Sequence, residues 1–172
     1  MLKMLGAMLI IAACTSLGLK IVIKKRKTLN AIRELSGSLG EIAHSIDFRL
    51  DPLPDVICRL SQDLFSEENT FIKQLARQIE KRSHQPLSLI WQAVLSQFSR
   101  ENALPAKAES VLSSLGESLG KMDYETEIDR LHAAQNSLMS LLEEMEGQHE
   151  KTEKMVKSLG IILGIFIVII LL

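Results

Sequence analysis

Aromatic side chains are scarce in this chain. They make up 4% of its 172 residues, with one Trp and one Tyr. That scarcity removes the stacking platforms used on single-stranded nucleic acid and most sandwich-type β cores. A basic excess is missing too. The formal net charge is −1, so no overall basic excess recruits nucleic acid through its phosphates. Cysteine is limited to Cys14 and Cys58, in very different surroundings. Neither sits in a CxxC or a Cys/His spacing, which leaves disulfide frameworks and zinc sites unsupported. Cys58 reads as a small buried hydrophobe. The length suits one domain with a real core and is short for two.

Catalytic patterns are missing as well. Gly116-Glu-Ser-Leu-Gly120-Lys121-Met122 has a phosphate-loop flavour. A P-loop, however, needs four residues between its glycines, Ser or Thr after the Lys, and a preceding strand. Here the preceding pattern is helical. His44, His84, His132 and His149 share no motif, and helix-face histidines account for them. Glu143, Glu144 and Glu146 read as a solvated face, and no serine sits in a nucleophile elbow. The expectation is no enzyme, no cofactor and no metal.

What the chain does have is long apolar runs, at its two ends. Ser158 to Leu172 holds twelve strongly apolar residues, two glycines and no charge. At helix-centre insertion values these twelve supply roughly −4 to −7 kcal/mol, an upper bound because end positions count for less. Fifteen residues cover about 22 Å of a hydrocarbon core about 30 Å thick. Starting at Met155, with Lys154 and Lys157 snorkelling, brings the span to about 27 Å. A soluble core helix would need a polar face, and this stretch has none. At the other end Met4 to Leu19 is uncharged, and Ile21 to Ile23 extend it past Lys20. The sequence therefore predicts membrane spans over 1–23 and 153–172, with a helical domain over 24–152 between them.

Basic residues orient the spans. Lys20, Lys24, Lys25, Arg26 and Lys27 follow the first, and Lys151, Lys154 and Lys157 precede the second. The positive-inside rule puts the middle of the chain in the cytoplasm and both termini across the membrane. A cleavable signal fits less well, because Lys3 alone is a thin n-region. Ile11-Ala12-Ala13-Cys14 has the look of a lipobox, and an exported lipoprotein lipidated at Cys14 stays as an alternative, opposed by the basic cluster. Gly160 and Gly164 form a GxxxG, and Cys14 with Gly18 a weaker small-xxx-small pair. Both suit close helix approach, between the spans, in self-association or with another protein.

The middle shows helical periodicity and no convincing strand. Leu35, Leu39, Ile42 and Ile46 make one stripe, with a break at Asp47 to Asp51. Leu53, Val56, Ile57, Leu60 and Leu64 follow Asp51 and the prolines that open a helix. Phe71, Ile72, Leu75, Ala76 and Ile79 are a third stripe. Leu87, Ile90, Trp91, Val94 and Phe98 are a fourth, with Trp91 as a core residue. Ala108, Val111, Leu112, Leu115 and Leu119 make a fifth, with Gly120 where a C-terminal cap belongs. The last stripe is Tyr124, Ile128, Leu131, Leu138, Leu142 and Met145, with Gln135 in the skipped place and Asp123 able to cap. Its pattern can run into the second span, with Gly147 as the weak point. Six amphipathic helices bury one another's stripes in an all-α, six-helix bundle.

With that architecture in view, several stretches resemble the stage III sporulation protein AB family. They are "MLKMLGAMLIIAACTSLG" at the start, "PLPDVICRL" at 52–60, the Trp in "LIWQAVL" at 89–95, "LSSLGESLGKMD" at 112–123 and "EKMVKSLGIILG" at 153–164. The paired Leu-Gly motif and the Lys-Ser-Leu-Gly lead-in to the last span are the most specific. The chain departs from the family at Glu127, where Gln is frequent. The resemblance implies a bacterial endospore former and a mother-cell membrane protein facing the forespore, part of a secretion-like channel complex. It also implies a soluble domain similar to the cytoplasmic domains of type II secretion inner-membrane platform proteins. By that analogy the partners are the cytoplasmic ATPase, stage III sporulation protein AA, and neighbouring channel subunits. Membrane lipid is a further partner and self-association a possibility. Gly116 and Gly120 are expected in packing or helix termination. The expected function is a scaffold; a signal-responsive membrane regulator is the other reading.

Overall fold

A computed structural model describes the backbone at 2–49, 51–63, 70–82, 84–120 and 123–171, and side chains at 22–48, 51–62, 70–82, 84–120 and 123–147. The described residues form six α-helices and no strand: α1 (Leu2–Arg49), α2 (Leu53–Asp63), α3 (Phe71–Lys81), α4 (Leu87–Asn102), α5 (Ala106–Ser118) and α6 (Tyr124–Leu171). The first apolar run and the first bundle stripe thus belong to one helix, and α6 passes through Gly147 without a break. Two compact units result. One is Asn30–Leu142; the other comprises Met1–Leu29 and Glu143–Leu172.

The Asn30–Leu142 unit holds the core. Within it α1 is the most enclosed helix: Ile32, Leu35, Leu39, Ile42, Ala43 and Ile46 are all at most 1% exposed. Each such aliphatic side chain contributes about 1.5–3 kcal/mol of burial. α2 packs on α3, α3 on α4 and α4 on α5. Short connections impose this order, since links of three to seven residues join neighbours.

Local chemistry sets the helix ends. Thr70 caps α3 by accepting from the Lys73 amide at 3.4 Å. A second acceptor comes from a distant helix, because Glu34 of α1 takes the Phe71 amide at 2.7 Å. That bond ties α3's start to α1 and satisfies one of the orphan donors of a helix N-terminus. Pro86 and Pro105 stand just before α4 and α5, where a missing amide hydrogen costs nothing. Asp51 accepts from Arg59 at 2.6 Å, nearly two turns into α2.

α6 buries a face that shares Leu131 and Leu138 with the expected stripe and is otherwise turned toward its neighbours. Glu127, Leu131, Ala134, Leu138 and Leu141 are buried, whereas Tyr124 is 43% exposed and Ile128, Leu142 and Met145 are half-buried. Alanine and glutamate carry no hydrophobic signature, so the apolar residues alone point to a neighbouring stripe. Gly40 of α1 explains part of the register. A Cβ there would lie 2.5 Å from Gln135 Nε2 and 3.2 Å from its Cδ. The glycine opens room for the α6 amide.

Among the described residues no helix is long and apolar enough to cross a membrane. Apart from Val22 and Ile23, the predicted spans, with Gly18, Lys20, Lys154, Lys157, Gly160 and Gly164, lie outside the residues whose side chains are described. Lys24, Lys25, Arg26 and Lys27 are described and exposed.

Candidate functional site

The residues singled out within the Asn30–Leu142 unit lie at the α4–α5 contact and on either side of the step from α5 to α6. Trp91 is fully buried in α4. Its indole Nε1 donates to the Leu112 carbonyl of α5 at 2.8 Å, which satisfies the one polar atom it carries into the core. That carbonyl is reachable because residue 116, one turn along α5, is glycine. A Cβ at Gly116 would overlap Trp91 Cδ1 and stand 2.6 Å from Nε1 and 2.8 Å from Cγ. Trp91 and Gly116 are therefore one packing unit.

Around it, Phe71 meets Trp91 edge-to-face at a centroid distance of 5.0 Å and Phe98 at 5.5 Å. Such pairs add about 0.5–1.5 kcal/mol each beyond their buried area. Gln92 and Ser113 bond reciprocally: Gln92 Nε2 donates to the Ser113 carbonyl at 2.9 Å, and Ser113 Oγ donates to Gln92 Oε1 at 3.1 Å. Ser99 Oγ donates to Glu109 at 2.9 Å. Polar clasps thus flank the aromatic cluster on α4 and α5.

Gly120 has φ +74°, the left-handed region that follows a helix end and that glycine enters at no steric cost. Its amide donates to the Glu127 carboxylate, which is 6% exposed. Asp123 stands before α6 and accepts from the Thr126 amide at 3.3 Å and the Thr126 hydroxyl at 3.1 Å. These bonds hold the Asp123 carboxyl below its ordinary value of 3.8. One loop glycine, one cap and one buried carboxylate thus define the corner. Glu127 accepts through a single oxygen here, a role a glutamine carbonyl oxygen fills equally well.

Sequence reasoning missed the Glu34 cap, the Gly40–Gln135 contact and the burial of Glu127. The first joins residues 37 apart and has no local signal. The S-L-G-x-x-D spacing hinted at the last, since a left-handed glycine exposes an amide in need of an acceptor.

For chemistry, the described residues offer no group of three or more His, Cys, Asp or Glu placed to hold a metal. His44, His84 and His132 are exposed on separate elements. Gly116 lies inside α5 and so does not open a phosphate loop. A cleft of about 100 Å³ opens between α3 and α4, lined by Gln78, Arg82, Ile90, Ala93, Val94 and Gln97.

Comparisons with known proteins agree with one another. The sequence profile of the family described as stage III sporulation protein AB matches residues 3–172. Stage III sporulation protein AB of Bacillus subtilis (strain 168) is 26% identical over 172 residues, covering 100% of both chains. A solved structure of stage III sporulation protein AB superposes with a TM-score of 0.62 at 19% identity, covering 72% of this chain and 97% of that one, which speaks to the fold. With the profile matching residues 3–172, the chain belongs to the stage III sporulation protein AB family.

Proposed function

We propose that this chain is a non-enzymatic membrane platform in the secretion-like channel complex between mother cell and forespore. It docks the cytoplasmic ATPase, stage III sporulation protein AA, and adjoins other channel subunits. One observation supports the reading above the rest. The compact unit Asn30–Leu142 begins and ends within α1 and α6, and those same helices carry the uncharged run Met4–Leu19 and the uncharged stretch from Ser158 to the end of α6 at Leu171. Basic residues border each run on the side nearer the bundle in sequence, which favours a cytoplasmic bundle in the mother-cell membrane. Such a protein works by contact: the bundle offers polar faces, and the membrane segments keep them near the channel.

Topology is tested first. Cys58 makes a poor reporter, because burial and then the nearby Glu80 and Asp55 charges push its thiol pKa up and lower its reactive thiolate fraction. An introduced cysteine at exposed Ser96 serves better. In intact cells a membrane-impermeant maleimide should leave it unlabelled, and permeabilisation should expose it. Labelling of intact cells would reject the platform and favour export with a lipid on Cys14. Co-purification of the full-length chain with the ATPase then separates a platform from a regulator; no co-purification counts against docking.

A further inference from the structure

Charge on the bundle unit is uneven. Between residues 30 and 142 acidic side chains outnumber basic ones sixteen to eleven. Yet Lys73, Arg77, Lys81 and Arg82 crowd into α3 and its C-cap, with Glu80 as the one acid among them. Lys73, Arg77 and Lys81 recur at every fourth residue, a ladder about 12 Å long on the side of α3 away from buried Phe71, Ile72, Leu75 and Ala76. Arg77, Lys81 and Arg82 are exposed and Lys73 is half-buried. Among the described residues no ion pair engages any of the four. Like charges four residues apart on a helix repel one another, so the ladder gains most from anions supplied by another molecule.

The recess between α3 and α4 has the same bias. Ile90 and Val94 are buried beneath it, and Gln78, Arg82 and Gln97 give it a polar lining. Gln97 is already engaged, its Nε2 donating to exposed Glu101 at 2.8 Å. The exposed Arg82 guanidinium offers a fork of donors, which suits a carboxylate far better than an apolar side chain. Acidic borders keep the cationic strip narrow. Exposed Glu80 stands on the α2 side, near Cys58, and Glu101 lies on the α4 side. A flat sheet of phosphates would meet those carboxylates as well as the cations. A helix with a single acidic stripe would not, because carboxylates at every fourth residue repeat at the same interval of about 6 Å as the rungs.

We propose that the outer face of α3 docks an acidic helix of a partner protein, whose carboxylates at every fourth residue follow Lys73, Arg77 and Lys81, with one more at Arg82 in the recess. It rests on the platform reading only for the presence of a protein partner.

The full-length chain in phosphatidylcholine nanodiscs tests the arrangement. The probe is a synthetic alanine-rich helix with Glu at every fourth residue. A zero-length carbodiimide joins an ammonium only to a carboxylate in contact with it, so Lys73 and Lys81 act as reporters read by mass spectrometry. The spaced peptide should crosslink there about tenfold more than one of equal composition with its Glu residues scattered round the axis. Arg77→Glu with Arg82→Glu should cut that yield about tenfold and leave the melting of the bundle unchanged. The neutral pair Arg77→Gln with Arg82→Gln should lower it too, and serves if the reversed chain does not fold. Equal yields from the two peptides would overturn the proposal. So would yields indifferent to the arginine changes, or phosphatidylglycerol vesicles that displace the peptide from Lys81. No step uses the ATPase, so failed crosslinking would leave its docking standing, and failed co-purification would leave this face standing.

Discussion

Gly116 and Gly37 are both helical glycines, and their surroundings set opposite expectations. At Gly37 nothing lies within 4 Å of an added Cβ. Gly37→Ala should stabilise the fold by about 0.5–1 kcal/mol, through lower backbone entropy in the unfolded chain. At Gly116 the same methyl meets the Trp91 ring, so overpacking of about 1–3 kcal/mol exceeds the propensity gain. Gly116→Ala should lower stability in a denaturant titration, with Gly37→Ala moving the midpoint the other way. Ser38 offers a third case. Its hydroxyl is buried and lacks a hydrogen-bond partner among the described residues. Ser38→Ala should be neutral or stabilising by up to about 1 kcal/mol, read from the same titration, because no bond is lost and a desolvated group is removed. Asp123 titrates. Its folded pKa lies below the ordinary 3.8, so its stabilisation is present above that value and is lost as pH falls through the folded pKa. Melting curves between about pH 5 and about pH 3 should fall more steeply for the native chain than for Asp123→Asn.

Helix α6 shows how an element distributes its tasks. One face packs inward through Leu131, Ala134, Leu138 and Leu141, while the opposite one leaves Met139 46% exposed. Two adjacent residues should therefore respond very differently. Leu138→Ala creates a cavity and should cost about 2–5 kcal/mol. Met139→Ala should stay within about 0.5 kcal/mol in the isolated fold. Equal losses in thermal melts would mean that α6 is rotated from the register described. α3 is similarly divided, its apolar side buried and its outer side cationic. Its start is held by Glu34 of α1, so the position of α3 is decided by a contact outside the element.

For the whole molecule, separable parts are the expectation. The core of the Asn30–Leu142 unit is made by its own side chains. Replacing Gly160 and Gly164 with Leu should therefore weaken assembly in the membrane, measured by crosslinking, and leave the melting of the bundle unchanged. A loss of bundle stability in that variant would tie the last segment to the fold itself.

Helix number, type and most core positions were legible in the amino-acid order, because apolar residues recur every three or four places and prolines and Gly120 punctuate them. The apolar end runs and their lysine borders are equally a property of sequence, since partition into lipid depends on local composition. Trp91 as core and Asp123 as cap needed only short-range reasoning. The tertiary structure alone decided the rest. That Gly116 exists for Trp91, that Gly40 admits Gln135, and that Glu34 caps α3 are facts about atoms brought together from distant parts of the chain. It also decided which face of α6 is inside, because Ala134 and Glu127 are buried by their neighbours' shapes and bonds and not by their own hydrophobicity. Periodicity names a helix; only the partner across the interface selects its inner side.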